Sequence, residues 1–132
     1  MKVFKKIAVS LVMALSMAAI SSTAFAAEEK NKNAVVREAA EGTITKIEEA
    51  ISLIDKNGDK AEIIKVIGDA RQLQKEFRYE LTERLRQKAN DKLKVARESV
   101  ESGDNQSAEE TLKATLVTFK EMKTIYDAAH KS

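Results

Sequence analysis

From residue 34 to the chain end there is no proline, and wherever apolar residues gather they return at steps of three and four. This pattern constrains the fold more than any other feature. A 3.6-residue period lines one face of a helix, whereas a strand needs alternation at two. Val36, Ala40, Ile44, Ile47, Ile51 and Ile54 form a first stripe. Ile63, Ile67, Ala70, Leu73, Phe77 and Leu81 form a second, and Leu93, Ala96 and Val100 a third. Leu112, Leu116, Phe119, Met122 and Tyr126 form a fourth. No segment alternates at period two, so the chain is expected to be all-α.

The stripes are separated by capping residues. Gly42 interrupts the first, at a cost of about 1 kcal/mol relative to Ala unless it permits a close helix contact. Lys56-Asn57-Gly58 ends that helix, with Gly58 expected in the left-handed C-cap conformation. Asp59 is expected to cap the next helix, with Glu62 completing a capping box. In the second half Gly103 ends a helix, and Asp104 or Ser107 starts the last one. The tips KNGDKAEIIK and ESGDNQSAEETLK read as weak copies of one hairpin design, each with a Gly-Asp step before a helix. Links this short force antiparallel neighbours. The expected architecture is an up-down-up-down four-helix bundle made of two hairpins.

The hairpins meet in the charged middle, Arg71 to Val100, which has no Gly or Pro to mark a turn. Glu80 and Arg84, four apart, support continued helix. Even so, the apolar positions from Ile63 to Leu81 and those from Leu85 to Val100 centre on directions about 100° apart on a straight helix. One rod would split its core, so a turn or kink is expected within 80–90. The alternative is an elongated three-helix protein with a central helix of about 60 Å. That form would leave apolar surface for a homodimer partner.

Residues 1–26 follow the grammar of a cleaved secretory signal. Lys2, Lys5 and Lys6 precede an apolar run from Ile7 to Ile20, and Ala24-Phe25-Ala26 places small residues at minus three and minus one. The run is shorter than the roughly 20 residues that span a bilayer. Cleavage before Ala27 would leave residues 27–33 as a flexible start and 34–132 as the helical domain. It would also remove three Lys and no acid, leaving 20 basic against 21 acidic groups. The pI near 8.8 thus belongs to the precursor and gives no argument for nucleic acid. A periplasmic location is expected, with no stable membrane insertion after cleavage. Cys is absent, so packing alone must hold the domain.

Few constellations suit chemistry. Asp55-Lys-Asn57-Gly-Asp59 opens like a calcium loop, but its sixth position is Lys60 and its twelfth Val66, where Gly and a bidentate Glu are required. Back-to-back helix caps explain the same residues. His130 is the sole histidine, and Met122 the sole methionine after the leader, on the same helix, so they do not clasp a haem from opposite faces. Asp127-x-x-His130 offers one pair for a divalent transition metal, where a di-iron bundle needs two Glu-x-x-His motifs. No cofactor is required by the sequence. Without Cys, and with a single His at a frayed, solvated end, nucleophilic catalysis has no partners. Glu48-Glu49 and Glu109-Glu110 are sequence neighbours that point about 100° apart. The residues therefore argue against an enzyme.

The basic middle remains. Arg71, Lys75 and Arg78 form a stripe beside Tyr79, with Arg84, Arg86, Lys88, Lys92 and Lys94 following. Arg71 to Arg97 holds nine basic and four acidic residues, net plus five, so the rest of the mature chain is net minus six. Arg71, Lys75, Arg78, Tyr79, Arg84 and Arg86 are the candidates for docking an acidic periplasmic protein, an anionic lipid or the acidic remainder of a second copy. Opposed to this stands a solvated face laced with ion pairs.

LKVARESVESGDNQSAEETLKATLVTFKEMK, with the leader and the paired-hairpin layout, resembles the small metal-binding proteins of the bacterial periplasm. The resemblance implies a four-helix bundle and metal uptake, attributed in that family to many histidines. Here His130 stands alone. The soluble cytochrome b of the periplasm, an exported bundle of similar size, differs by a ligand on the first helix that this chain lacks. The expected function is an exported helical-bundle binding protein of the cell envelope, metal-binding or metal-buffering. The alternative is a protein-interaction or envelope-stress module that uses the basic middle.

Overall fold

The computed structural model describes residues 24–130, with side chains from Lys32 onward. Among them lie four α-helices and no strand: α1 Ala24–Asp55, α2 Lys60–Leu73, α3 Glu83–Glu101 and α4 Asn105–Ala129. The described residues divide into two units, 24–34 and 35–130. The expected leader lies outside the described residues except for its last three, which begin α1; the same helix takes in residues 27–33. No helix among the described residues is long and apolar enough to cross a membrane.

The stripes become the core. Ile47, Ile63, Ile67, Leu93, Leu112, Phe119 and Met122 are all at most 1% exposed and join one apolar cluster. Burial of each such side chain contributes about 1.5–3 kcal/mol. Buried alanines supplement them on every helix, among them Ala50, Ala70, Ala96 and Ala108. Gly42 serves the close contact that would justify it, since a Cβ there would stand 3.2 Å from Leu73 Cδ1. Cross-helix polar pairs follow a steady register: Arg37 with Asp127 and Lys120 with Glu48 between α1 and α4, and Lys46 with Asp69 between α1 and α2.

The two tips close alike but in different registers. At the first, Asn57 rather than Gly58 takes the left-handed conformation, with φ 56°. Gly58 instead donates its N–H to Leu53 O at 2.7 Å, and Asn57 donates to Ile54 O at 3.1 Å, the paired bonds of a Schellman cap. Gly58 is needed because a Cβ would sit 3.0 Å from that same Leu53 carbonyl. The expected capping box is absent: Asp59 precedes α2 without a side-chain cap bond. At the second tip Gly103 takes φ 88° and donates to Val100 O, while Asp104 donates to Ser99 O. The Asp104 carboxylate also accepts from Ser107 N at 3.1 Å, capping α4. The two Gly-Asp steps are thus shifted by one residue relative to the cap.

The middle turns, which overturns the single long central helix, but earlier than expected. α2 ends at Leu73, and two 3-10 turns, Gln74–Glu76 and Glu80–Thr82, flank an irregular stretch at 77–79. Phe77 has φ −82° and ψ 79°, and Arg78 N donates across it to Glu76 O at 3.0 Å, an inverse γ-turn. This geometry drives Phe77 fully into the core. Leu81, expected on the same apolar face, is 72% exposed because the face ends with the helix.

Candidate anion-binding groove

The break between α2 and α3 is tied by a polar network. Gln74, 1% exposed, donates from Nε2 to Arg71 O at 2.8 Å, and its Oε1 accepts from Arg86 Nη1 at 2.8 Å. Arg86 also forks onto Glu83, with Nε 3.1 Å from Oε2 and Nη2 on Oε1. That hydrogen bond is the main cause holding the Glu83 carboxyl below its ordinary value. Arg86 is therefore occupied inside the fold.

The other expected partner-binding residues separate. Arg71 lies on α2, Lys75 in the following 3-10 turn and Arg78 in the irregular link, so the helical stripe of three does not form. Arg78 and Arg84 are exposed. Tyr79 packs edge-on against Tyr126, ring centroids 5.1 Å apart, and against His130 at 5.2 Å.

His130 is neither frayed nor fully solvated. Its ring stacks on Tyr126 at 3.9 Å, and Nδ1 lies 2.8 Å from the Tyr126 carbonyl. Arg37 of α1 donates to His130 O at 3.1 Å, which fastens the end of α4. Asp127 accepts from Lys123 Nζ at 2.8 Å and lies 3.8 Å from Arg37 Nε. Burial pushes the Tyr126 hydroxyl above its ordinary value. Among the described residues no three His, Cys, Asp or Glu side chains cluster to hold a metal. At the first tip a hydrogen bond with Asp55 raises the Glu109 carboxyl, a cross-helix pairing that sequence neighbours could not reveal.

Arg71 and Lys75 do come together, joined by Arg97, which was not among the expected partner-binding residues. Gly68, Arg71, Gln72 and Lys75 from one side and Asn90 and Arg97 from the other line a groove of about 190 Å³. Gly68, Arg71 and Gln72 fall at i, i+3 and i+4 on α2, with Lys75 in the 3-10 turn that follows, and Asn90 and Arg97 lie seven apart on one face of α3. The spacing within each helix is visible in the sequence, but the meeting of the two faces is not. Arg71 Nε donates to Asn90 Oδ1 at 3.3 Å across the groove. Arg97 Nε is buried without a hydrogen-bond partner. A buried donor left so costs about 1–3 kcal/mol. No carboxylate lines the groove, which carries Arg71 and Lys75 on one side and Arg97 on the other. Such a place suits an oxyanion. Comparison with protein-family models, curated proteins and solved structures finds no match for the chain.

Proposed function

We propose that this chain is an exported small helical-bundle binding protein of the cell envelope, without catalysis, that docks an acidic partner on the groove between α2 and α3. The carrying observation is that Arg71, Lys75 and Arg97 line one concavity with no carboxylate among them. The leader grammar of residues 1–26 supports export. An up-down-up-down arrangement is part of the reading. It draws support from the contact register: positions rise along α1 from Arg37 to Glu48 as their α4 partners fall from Asp127 to Lys120. Likewise Gly42 and Lys46 of α1 face Leu73 and Asp69 of α2.

Fluorescence anisotropy of the mature protein with a labelled oligoglutamate peptide tests the reading. Binding is expected at about 20 mM salt and its loss at about 300 mM, where the Debye length is short. Arg71→Glu with Lys75→Glu is expected to abolish it. Binding that ignores salt and charge reversal, or none at low salt, overturns the proposal.

One observation favours metal binding as a second reading. His130 Nδ1 meets a backbone carbonyl, the support commonly given to a ligating histidine, which leaves Nε2 as the coordinating atom. Asp127 would be the second ligand. Uptake of copper, nickel or zinc by the purified protein, lost on changing His130 and Asp127 to Ala, would support it; metal analysis finding none at micromolar protein would end it.

A further inference from the structure

We infer that the floor of this groove is a seat for an oxyanion bearing two negative charges, gripped by Arg97 and kept open by Gly68. The inference rests on the acidic-partner reading and names the group that the partner must present. Among the described residues Arg37, Lys46, Arg86, Lys113, Lys120 and Lys123 each face a carboxylate. Arg71, Lys75 and Arg97 take part in none of these pairs. Arg97 Nε is buried with no acceptor, so a ligand in the groove meets this guanidinium at its terminal Nη groups. A guanidinium presents its N–H groups as a fork matched to two oxygens of one carboxylate or phosphate.

Arg71 is steadied opposite by Asn90, and Lys75 at the exposed rim adds a third positive charge. A single negative charge would leave the seat cationic; two come closer to balance. Gly68 supplies the independent observation. It sits inside α2, where glycine disfavours helix. Its φ is not left-handed, and a Cβ there would meet nothing within 4 Å. Neither turn nor packing requires a glycine. What it does is leave the groove wall bare. The resulting space of about 190 Å³ exceeds the roughly 30 Å³ share of one water, so it admits a small dianion.

The arginine Nε–H signals of the mature protein, followed by two-dimensional nitrogen-proton NMR at constant ionic strength, test the seat. Inorganic phosphate, glutarate, acetate and chloride serve as probes, with exposed Arg84 as internal control. Arg97 Nε is expected to shift saturably with phosphate or glutarate, at least about tenfold tighter than with acetate. The tighter of the two identifies the seat as phosphate or paired carboxylate. Arg97→Lys, which keeps the charge but loses the fork, is expected to weaken this about tenfold. Gly68→Leu, checked for helicity by circular dichroism, is expected to block it. An Arg97 signal that merely tracks Arg84, equal binding of acetate, or unimpaired Gly68→Leu overturns the seat. If Arg71→Glu with Lys75→Glu loses the oligoglutamate peptide while Arg97→Lys and Gly68→Leu keep it, the seat falls and the partner reading stands. Saturable phosphate binding without peptide binding has the opposite meaning.

Discussion

Arg86 shows how far a charge count is from a binding surface. Its side chain is 11% exposed, and its guanidinium satisfies both Glu83 and the buried oxygen of Gln74. Arg86→Ala would strand that oxygen and a carboxylate, and is expected to cost about 2–3 kcal/mol in urea unfolding. Arg86→Lys should recover little, because an ammonium cannot reproduce the fork. Glu83 carries the acid side of the same network. Its folded pKa is depressed below the ordinary 4.5, so its contribution is complete above that value and is lost as pH falls through the folded pKa. Glu83→Gln should flatten this part of the acid limb of a stability-pH curve. Tyr126 has the opposite sign. With its pKa raised above 10.0 by burial, its contribution holds below that pH and is lost as pH rises through the folded value. Tyr126→Phe is expected to make alkaline unfolding begin later, measured by circular dichroism.

Among the elements, the tips and α2 separate glycines by their reasons. Gly103→Ala places a Cβ on a φ of 88° and is expected to cost about 1 kcal/mol or more. Gly68→Ala should do the reverse, raising stability by about 0.5–1 kcal/mol, since its φ is ordinary and its surroundings open. Chemical denaturation of the two variants side by side checks both signs. Asp55 and Glu109 join the ends of two helices. The Glu109 pKa is raised, first by its hydrogen bond with Asp55, so its favourable contribution is present below 4.5 and disappears as pH rises through the folded value. Asp55 also stands at the C-terminus of α1, where a negative charge opposes the helix dipole. Asp55→Asn should therefore stabilise the protein at neutral pH, with the gain shrinking in acid. The Gly-Asp steps were visible in the sequence, but their register was not. Asn57 and Gly103 each end a helix because the last carbonyls need partners, and which residue turns left-handed depends on where the preceding helix stops.

For the molecule as a whole, Phe77 is the residue on which core and topology meet. It is wholly buried, its ring 5.9 Å from Tyr126, while its backbone makes the γ-turn between the two 3-10 turns that separate α2 from α3. Phe77→Ala is expected to cost about 3–5 kcal/mol in thermal or urea unfolding, with Leu81→Ala nearly neutral despite equal standing in the apolar pattern. That contrast measures what the pattern left undecided. Helix identity, the buried stripes and the presence of a turn in the middle follow from the sequence, because the 3.6-residue period is a local property and the two apolar faces disagree in direction whatever surrounds them. The place of the turn required the tertiary structure: without Gly or Pro, the chain breaks where burying Phe77 and satisfying Gln74 through Arg86 outweigh one more helical turn. The groove divides in the same way. Its net charge and the candidates Arg71 and Lys75 were legible, since they lie close together on one strongly basic segment. Arg97, Asn90 and the bare wall at Gly68 were not, because a seat between two helices exists only once their faces have met.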